Sequence, residues 1–278
     1  RAAAARGANL SGITDAAAAD AEKNADASKA QHHRDPKLNF DDCRLLEHYR
    51  NGGASAEAIK DFFRILSVSH TVVPEGDLED PHKILYQAES PDEGALSGFA
   101  KAMGWFFCGR SSTHTTVMVH GTKEMYELLN VNKFNSARKR MSVVCKTPEG
   151  KILLYVKGAD NIMIDRLAPG QADVETMKTT LANYGTEGLR TLVLAKRELS
   201  QSQWEDWNKT HQAAMTALTD REGELERAAE EIEKDMTLVG ATAIEDKLQD
   251  GVPEVLADLR SAGVKVLTIT LTLTLTLT

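Results

Sequence analysis

The chain has 278 residues, 42% of them hydrophobic and 27% charged, which suits a folded globular protein of about two domains. A net charge of −8 disfavours broad electrostatic binding to nucleic acid or to an anionic membrane surface. Aromatic residues make up only 5%, so the core must be mostly aliphatic.

Three cysteines, Cys43, Cys108 and Cys145, are odd in number and far apart. They point to reduced thiols rather than a disulfide framework. No apolar segment reaches the ~18–20 residues that span a bilayer, and no signal-peptide pattern is present, so the chain as given is expected to be soluble.

Residues 1–34 are rich in Ala with scattered Asp, Lys and Asn. They hold few large apolar side chains to anchor a helix and are expected to form a disordered tail. His32 and His33 have no Cys or carboxylate at ligand spacing, so solvated tail is preferred to a metal site. From Leu38 the pattern becomes globular. Ile59, Phe62, Phe63 and Leu66 fall at helical spacing and predict a core-facing helix over residues 56–69. Residues 71–75 end it, a polar loop follows over 76–82, and residues 83–88 read as a short strand.

Ser90 and Glu93 stand three residues apart in a capping-box pattern, with Pro91 at the first helical position. Leu96, Phe99, Ala100 and Met103 then make one apolar face, and Gly104 is a suitable stop. Glu93 therefore has two compatible readings: a helix cap, and a carboxylate placed to bond an exocyclic amine.

Residues 105–157 read as successive strands over 105–107, 115–119, 125–129, 141–145 and 152–156, punctuated by Gly121 and the turn at 147–150. Connections this short cannot hold crossover helices, so the sheet should be antiparallel. Within this block, residues 134–144 read FNSARKRMSVV. Phe134 offers a flat face, Ser136 a hydroxyl, and Arg138, Lys139 and Arg140 offer charge for anionic oxygens. A stacked base gains about 1–3 kcal/mol on such a ring, and charge-assisted bonds to phosphate are strong. A half-buried strand with a solvated basic rim would look the same. Lys157-Gly158 ends the last strand beside an expected helix start, which is a phosphate-site pattern.

Residues 171–187 look helical, and 188–195 return to a strand with Arg190 at its mouth. Arg190 is either a solvated edge cation or a phosphate contact. Residues 201–234 form a long polar segment, read as a surface helix or helical pair. Residues 237–244 then read as a buried strand, followed by a helix with Val252, Val255, Leu256 and Leu259 on one face and a second strand at 264–267. Strand, helix and strand imply a parallel βαβ unit. The Leu-Thr repeat over 269–278 is low complexity and aggregation-prone, and reads as an abnormal end or a gene-model artefact.

Several stretches in this order resemble one family: YQAESPDEGAL from Tyr86, FNSARKRMSV from Phe134, YVKGAD from Tyr155, GLRTLVLAKREL from Gly188 and GATAIEDKLQDGVPE from Gly240, with HTVVPE from His70. They look like the P-type ATPases, and within them the phospholipid flippase (type IV) class. The resemblance covers roughly residues 38–268. It implies an α+β fold: a nucleotide-binding domain over 35–235, built as an antiparallel sheet flanked by helices. Residues 236–268 would be part of a haloacid-dehalogenase-like phosphorylation domain.

By the same resemblance Phe134 would stack on adenine, with Glu93 near the base and Ser136 and Lys139 lining the pocket. Lys157 and Arg190 would face ribose and phosphates, and Asp246 would sit near the nucleotide. ATP and Mg2+ are the implied cofactors. Phospholipid and membrane are implied partners of the intact protein, with an accessory subunit admitted among them and no nucleic acid. This portion would face the cytoplasm.

The departures narrow the expectation. No Asp-Lys-Thr-Gly-Thr occurs, since Asp246-Lys247 is followed by Leu248-Gln249, and Ile269-Thr270 stand where the family has Gly-Asp. The family's Gly-Asp-Gly, Thr-Gly-Glu and membrane helices are also missing. The chain is therefore expected to be a fragment, with no catalytic residue and no metal ligand of its own, that binds ATP without turning it over. Two rivals stay open. One is a haloacid-dehalogenase-type phosphatase, which needs an Asp-x-Asp pattern that the chain lacks. The other is a stand-alone, non-catalytic nucleotide-binding or interaction module using residues 201–234.

Overall fold

A computed structural model describes residues 42–76, 83–246 and 251–265. The Ala-rich segment with His32-His33, most of the 76–82 loop and the Leu-Thr repeat lie outside these residues. The chain divides into a unit ending at Glu245 and a second unit from Asp246.

Two helices come first among the described residues of the first unit. Helix α1 (Cys43–Asn51) is capped by the Asp42 side chain, which accepts from the Arg44 amide. Helix α2 (Ala54–Val68) buries Ile59, Phe62, Phe63, Ile65 and Leu66, as the periodicity predicts. The link that follows is not a simple stop. Strand β1 (Val73–Glu75) pairs antiparallel with β2 (Leu85–Gln87), and helix α3 (Pro91–Ala102) follows.

A seven-stranded sheet comes next, each strand antiparallel to its sequence neighbour. It comprises β3 (Trp105–Arg110), β4 (His114–Val119), β5 (Thr122–Asn132), β6 (Arg140–Lys146), β7 (Ile152–Gly158), β8 (Arg190–Leu199) and β9 (Thr237–Ile244). The antiparallel block expected over 105–157 is present strand for strand. At the β3 start, Gly104 takes φ +92° with the His120 ring where a Cβ would stand, at 2.6 Å, so the turn requires glycine.

Alternation along the strands divides the core between the two faces. One face, with Met141, Val143, Cys145, Leu153 and Tyr155, packs under α1–α3. Phe63 stacks on Trp105 there with ring centroids 4.4 Å apart, an arrangement that adds about 0.5–1.5 kcal/mol to simple burial. The other face, with Val144, Leu154, Val156 and Val193, packs under the remaining helices. These are α4 (Asp160–Met163), α5 (Asp173–Thr186), α6 (Gln201–Met215) and α7 (Arg221–Ile232). The result is a helix–sheet–helix sandwich.

The 201–234 segment is a helical hairpin, and it is less superficial than its polarity suggests. Trp204, Trp207, Ala214, Ala228 and Ile232 are buried, and the Trp207 indole donates to the Ala228 carbonyl at 2.7 Å. Helix α6 carries a complete capping box between Ser200 and Gln203.

This hairpin sets the direction of the strand that follows it. Strand β9, read as the first strand of the expected parallel βαβ unit, pairs antiparallel with β8 in the described sheet. A single crossover helix would return the chain to the start of β8 and give a parallel strand. A pair of antiparallel helices delivers it back to the end where β8 finished. In the second unit, α8 (Val252–Ser261) begins after Gly251 with a proline in its first turn. Residues 266 and 267 of the second expected strand (264–267) lie outside the described residues.

Candidate functional site

The C-terminal ends of β5 and β7 and the start of β6 and β8 meet at one end of the sheet, because Asn132 pairs with Ser142, Arg140 with Gly158 and Gly158 with Val193. Six of the seven residues singled out in the sequence fall on or beside this end. Phe134, Ser136 and Lys139 lie on the β5–β6 loop, Lys157 closes β7, Arg190 opens β8, and Glu93 is in the first turn of α3. Asp246 belongs to the second unit.

Lys157 follows Leu153 and Tyr155 on the face packed under α1–α3, and is 7% exposed. A buried ammonium needs an anion, and Glu93 supplies it at 2.9 Å. The other Glu93 oxygen accepts from the Thr71 amide at 3.0 Å and the Thr71 hydroxyl at 2.6 Å. The expected capping box therefore does not form. The Ser90 side chain makes no cap bond, and the Glu93 carboxylate is turned to Thr71 and Lys157 instead.

Burial alone would raise the Glu93 carboxyl. The Lys157 charge and the bonds from Thr71 and Lys157 overcome that and hold it at about 2. Burial lowers the Lys157 ammonium, against the pull of Glu93.

Arg190, 51% exposed at its side chain, pairs with Asp92 at 2.8 Å. The sequence singled out the cation without this partner. Asp92 adjoins Glu93 in the first turn of α3, so one helical turn faces both Lys157 and Arg190.

Behind the pair sits His70, wholly buried. Its Nδ1 accepts from the Val72 amide at 3.2 Å while Nε2 faces the Ser67 carbonyl at 2.9 Å, the pattern of a neutral ring. Burial and the nearby charges of Arg110 and Lys157 hold its pKa near 3.

The β5–β6 loop is built on Asn135. Its side-chain oxygen accepts from the Arg138 amide at 2.7 Å, and its carbonyl from the Lys139 amide at 2.8 Å. Lys139 leaves the turn at φ +52°. Phe134 is 60% exposed, and Ser136 and Lys139 are also exposed. The exposed ring leaves an aromatic face open to solvent beside Ser136 and Lys139.

The basic run is not uniform. Arg138 and Arg140, read as charge for anionic oxygens, are buried on the opposite side, with Glu233 as shared partner. Of the three cations, only Lys139 is exposed. At Gly158 a Cβ would lie 2.5 Å from the Arg140 Cβ. The glycine is thus required by the neighbouring strand as it passes Arg140.

Thr71, Asp92 and Glu233 are the contributors that sequence reasoning missed. Thr71 lies inside the HTVVPE stretch and was within reach. Glu233 is 93 residues from Arg140 in the chain, and no local pattern connects the two. Among the described residues there is no group of three or more His, Cys, Asp or Glu able to hold a metal ion. No helix among them is long and apolar enough to cross a membrane.

Comparison with known proteins gives the arrangement its family. The profile described as P-type ATPase, cytoplasmic domain N, matches residues 64–251. A phospholipid-transporting ATPase of Schizosaccharomyces pombe is 48% identical over 80% of this chain and 17% of its own length. Phospholipid-transporting ATPase DNF1 of Chaetomium thermophilum is 45% identical over 78% of the chain and 14% of its own length. Phospholipid-transporting ATPase ID of mouse is 46% identical over 84% and 19%. The chain thus spans less than a fifth of these relatives. A match across both the helical layers and the sheet that carries the Glu93–Lys157 pair leaves one assignment: the chain belongs to the P-type ATPases and contains their cytoplasmic domain N.

Proposed function

We propose that the sheet end formed by Glu93, Phe134, Ser136, Lys139, Lys157 and Arg190 binds ATP, and that the chain acts as the nucleotide-binding part of a phospholipid-translocating P-type ATPase. The observation that carries this reading is a buried, ionised Glu93–Lys157 pair at the same sheet end as an exposed aromatic side chain, Phe134.

Each residue has a task that its chemistry suits. Phe134 stacks on adenine. Glu93 keeps acceptor capacity beside Lys157 and Thr71 for an exocyclic amine. Ser136 and Lys139 border the base and sugar, and Lys157 and Arg190 face ribose and phosphate oxygens. Mg2+ arrives with the nucleotide, neutralising phosphate charge that these few cations leave uncovered. With one stacking face and few cations, an affinity near millimolar is expected, about −4 kcal/mol.

In the intact protein the γ-phosphoryl group passes to an aspartate supplied elsewhere. An aspartyl phosphate splits one hard hydrolysis into two easier steps, with positioning and electrostatics supplying most of the rate. Lipid movement, a membrane location with this part on the cytoplasmic side, and any accessory subunit belong to that intact protein.

The test is a titration of a ribose-labelled fluorescent ATP analogue into the full chain and its Phe134→Ala variant. Loss of the stacking face should weaken binding by about 1–3 kcal/mol, while the melting temperature without nucleotide stays unchanged because the ring is exposed. Equal affinity in both proteins would remove Phe134 from the site.

A further inference from the structure

Three acidic side chains of the α6–α7 hairpin reach across to the strands and loop that carry Phe134 and Lys139. Glu233, at the end of α7, is wholly buried. Its carboxylate takes both Arg138 and Arg140, at 2.5 Å for the Arg140 Nε, and accepts from the Ser142 hydroxyl at 2.5 Å. The Ser142 hydroxyl in turn accepts from the Asn132 side-chain Nδ2 at 2.9 Å, so the last residue of β5 and the first residues of β6 are tied to one carboxylate. Glu230 adds a second acceptor for Arg140 at 3.3 Å. Glu226 accepts from Asn135, the residue on which the loop turn is built, at 2.5 Å.

We infer that Glu233 is a positioning residue for the nucleotide loop, and that α7 sets the geometry in which Phe134, Ser136 and Lys139 are presented. The inference rests on the ATP-binding reading above. Two guanidinium groups that cannot lose their protons must be buried against an anion. Glu233 draws residues 138 and 140 to the α7 side, and Lys139 between them is left exposed. Arg138 also donates to the Lys133 carbonyl at 3.2 Å, and Arg140 to the Arg138 carbonyl at 3.0 Å. The guanidiniums therefore brace the loop backbone at both ends while Glu233 holds them. A loop held this way meets the base without first being ordered, and a preorganised site binds more tightly for that reason.

The test is Glu233→Gln in the full chain, read by two measurements. Affinity for the fluorescent ATP analogue should fall about tenfold. Amide hydrogen exchange should quicken at residues 133–139 and stay unchanged in α2 and β3–β4. The double variant Glu233→Gln with Arg138→Gln, which removes one of the two stranded cations, should recover part of the affinity and of the exchange protection at residues 133–139 together. Wild-type affinity and unchanged loop exchange in Glu233→Gln would overturn the inference. Failure of the unaltered chain to bind the analogue would instead overturn the ATP-binding reading. Should Glu233→Gln not fold, Glu226→Ala decides. It removes the acceptor of the Asn135 side-chain amide, and must weaken binding of the analogue with faster loop exchange; binding equal to the unaltered chain would overturn the inference.

Discussion

Lys157 is placed by alternation among apolar residues, and Glu93 is what makes that placement tolerable. Removing one partner of a buried pair leaves an uncompensated charge, at about 3–5 kcal/mol. Glu93→Gln should therefore lower the free energy of unfolding, measured by urea titration, by about 3–5 kcal/mol. The double variant Glu93→Gln with Lys157→Met should regain most of it, because no unpaired charge then remains. A double variant no more stable than Glu93→Gln would show that the pair matters through packing rather than charge. Phe134 poses the opposite case: its ring is exposed, so its loss should reach binding and leave stability alone. The Arg138-Lys139-Arg140 run shows why a composition-level reading of charge fails at this scale. Three adjacent cations look equivalent in sequence, yet two are neutralised on the far face and one is left for solvent or ligand.

Among the elements, the link between α2 and β1 carries the clearest pH dependence. The folded state holds His70 near pKa 3, against an ordinary 6.5. Below pH 6.5 the unfolded chain takes up a proton that the folded chain refuses, so stability falls as pH falls, by about 1.4 kcal/mol per pH unit until the folded value is reached. By pH 5 the loss from His70 is about 2 kcal/mol. Burial lowers His120 and His211 as well, so the decisive comparison is with His70→Gln. That variant should be less stable at pH 7 but lose less stability between pH 7 and 5. Parallel losses in both proteins would clear His70. Glu93 and Glu149, both held near 2, add their own losses only as pH drops below about 4.5.

The same elements show what was legible in sequence. Strands β3–β7 and helix α2 follow from alternation, helical spacing and short connections, and they are found in the expected antiparallel order. The six residues gathered at one sheet end could be named because each sits in a stretch resembling the family. Pairings across long separations were not legible. Glu93 answers Lys157 from 64 residues away, and Glu233 answers Arg140 from 93, so a local capping pattern claimed the first and surface polarity hid the second. The pairing of β9 with β8 was not legible for a related reason: it depends on a helical hairpin, whose effect on chain direction no strand pattern records.

At the scale of the molecule, one sheet serves two tasks through its two faces. Under α1–α3 it places Lys157 against Glu93 and Thr71; under α4–α7 it buries the arginines that brace the Phe134 loop. The most direct test of this account is a backbone amide NMR titration of the full chain with MgATP. The account predicts saturable shifts at Phe134, Ser136, Lys139, Lys157 and Arg190, with none at Gly121, Gly150 or Leu199 at the other end of the sheet. Saturable shifts centred elsewhere, or none at that sheet end at millimolar nucleotide, would contradict it.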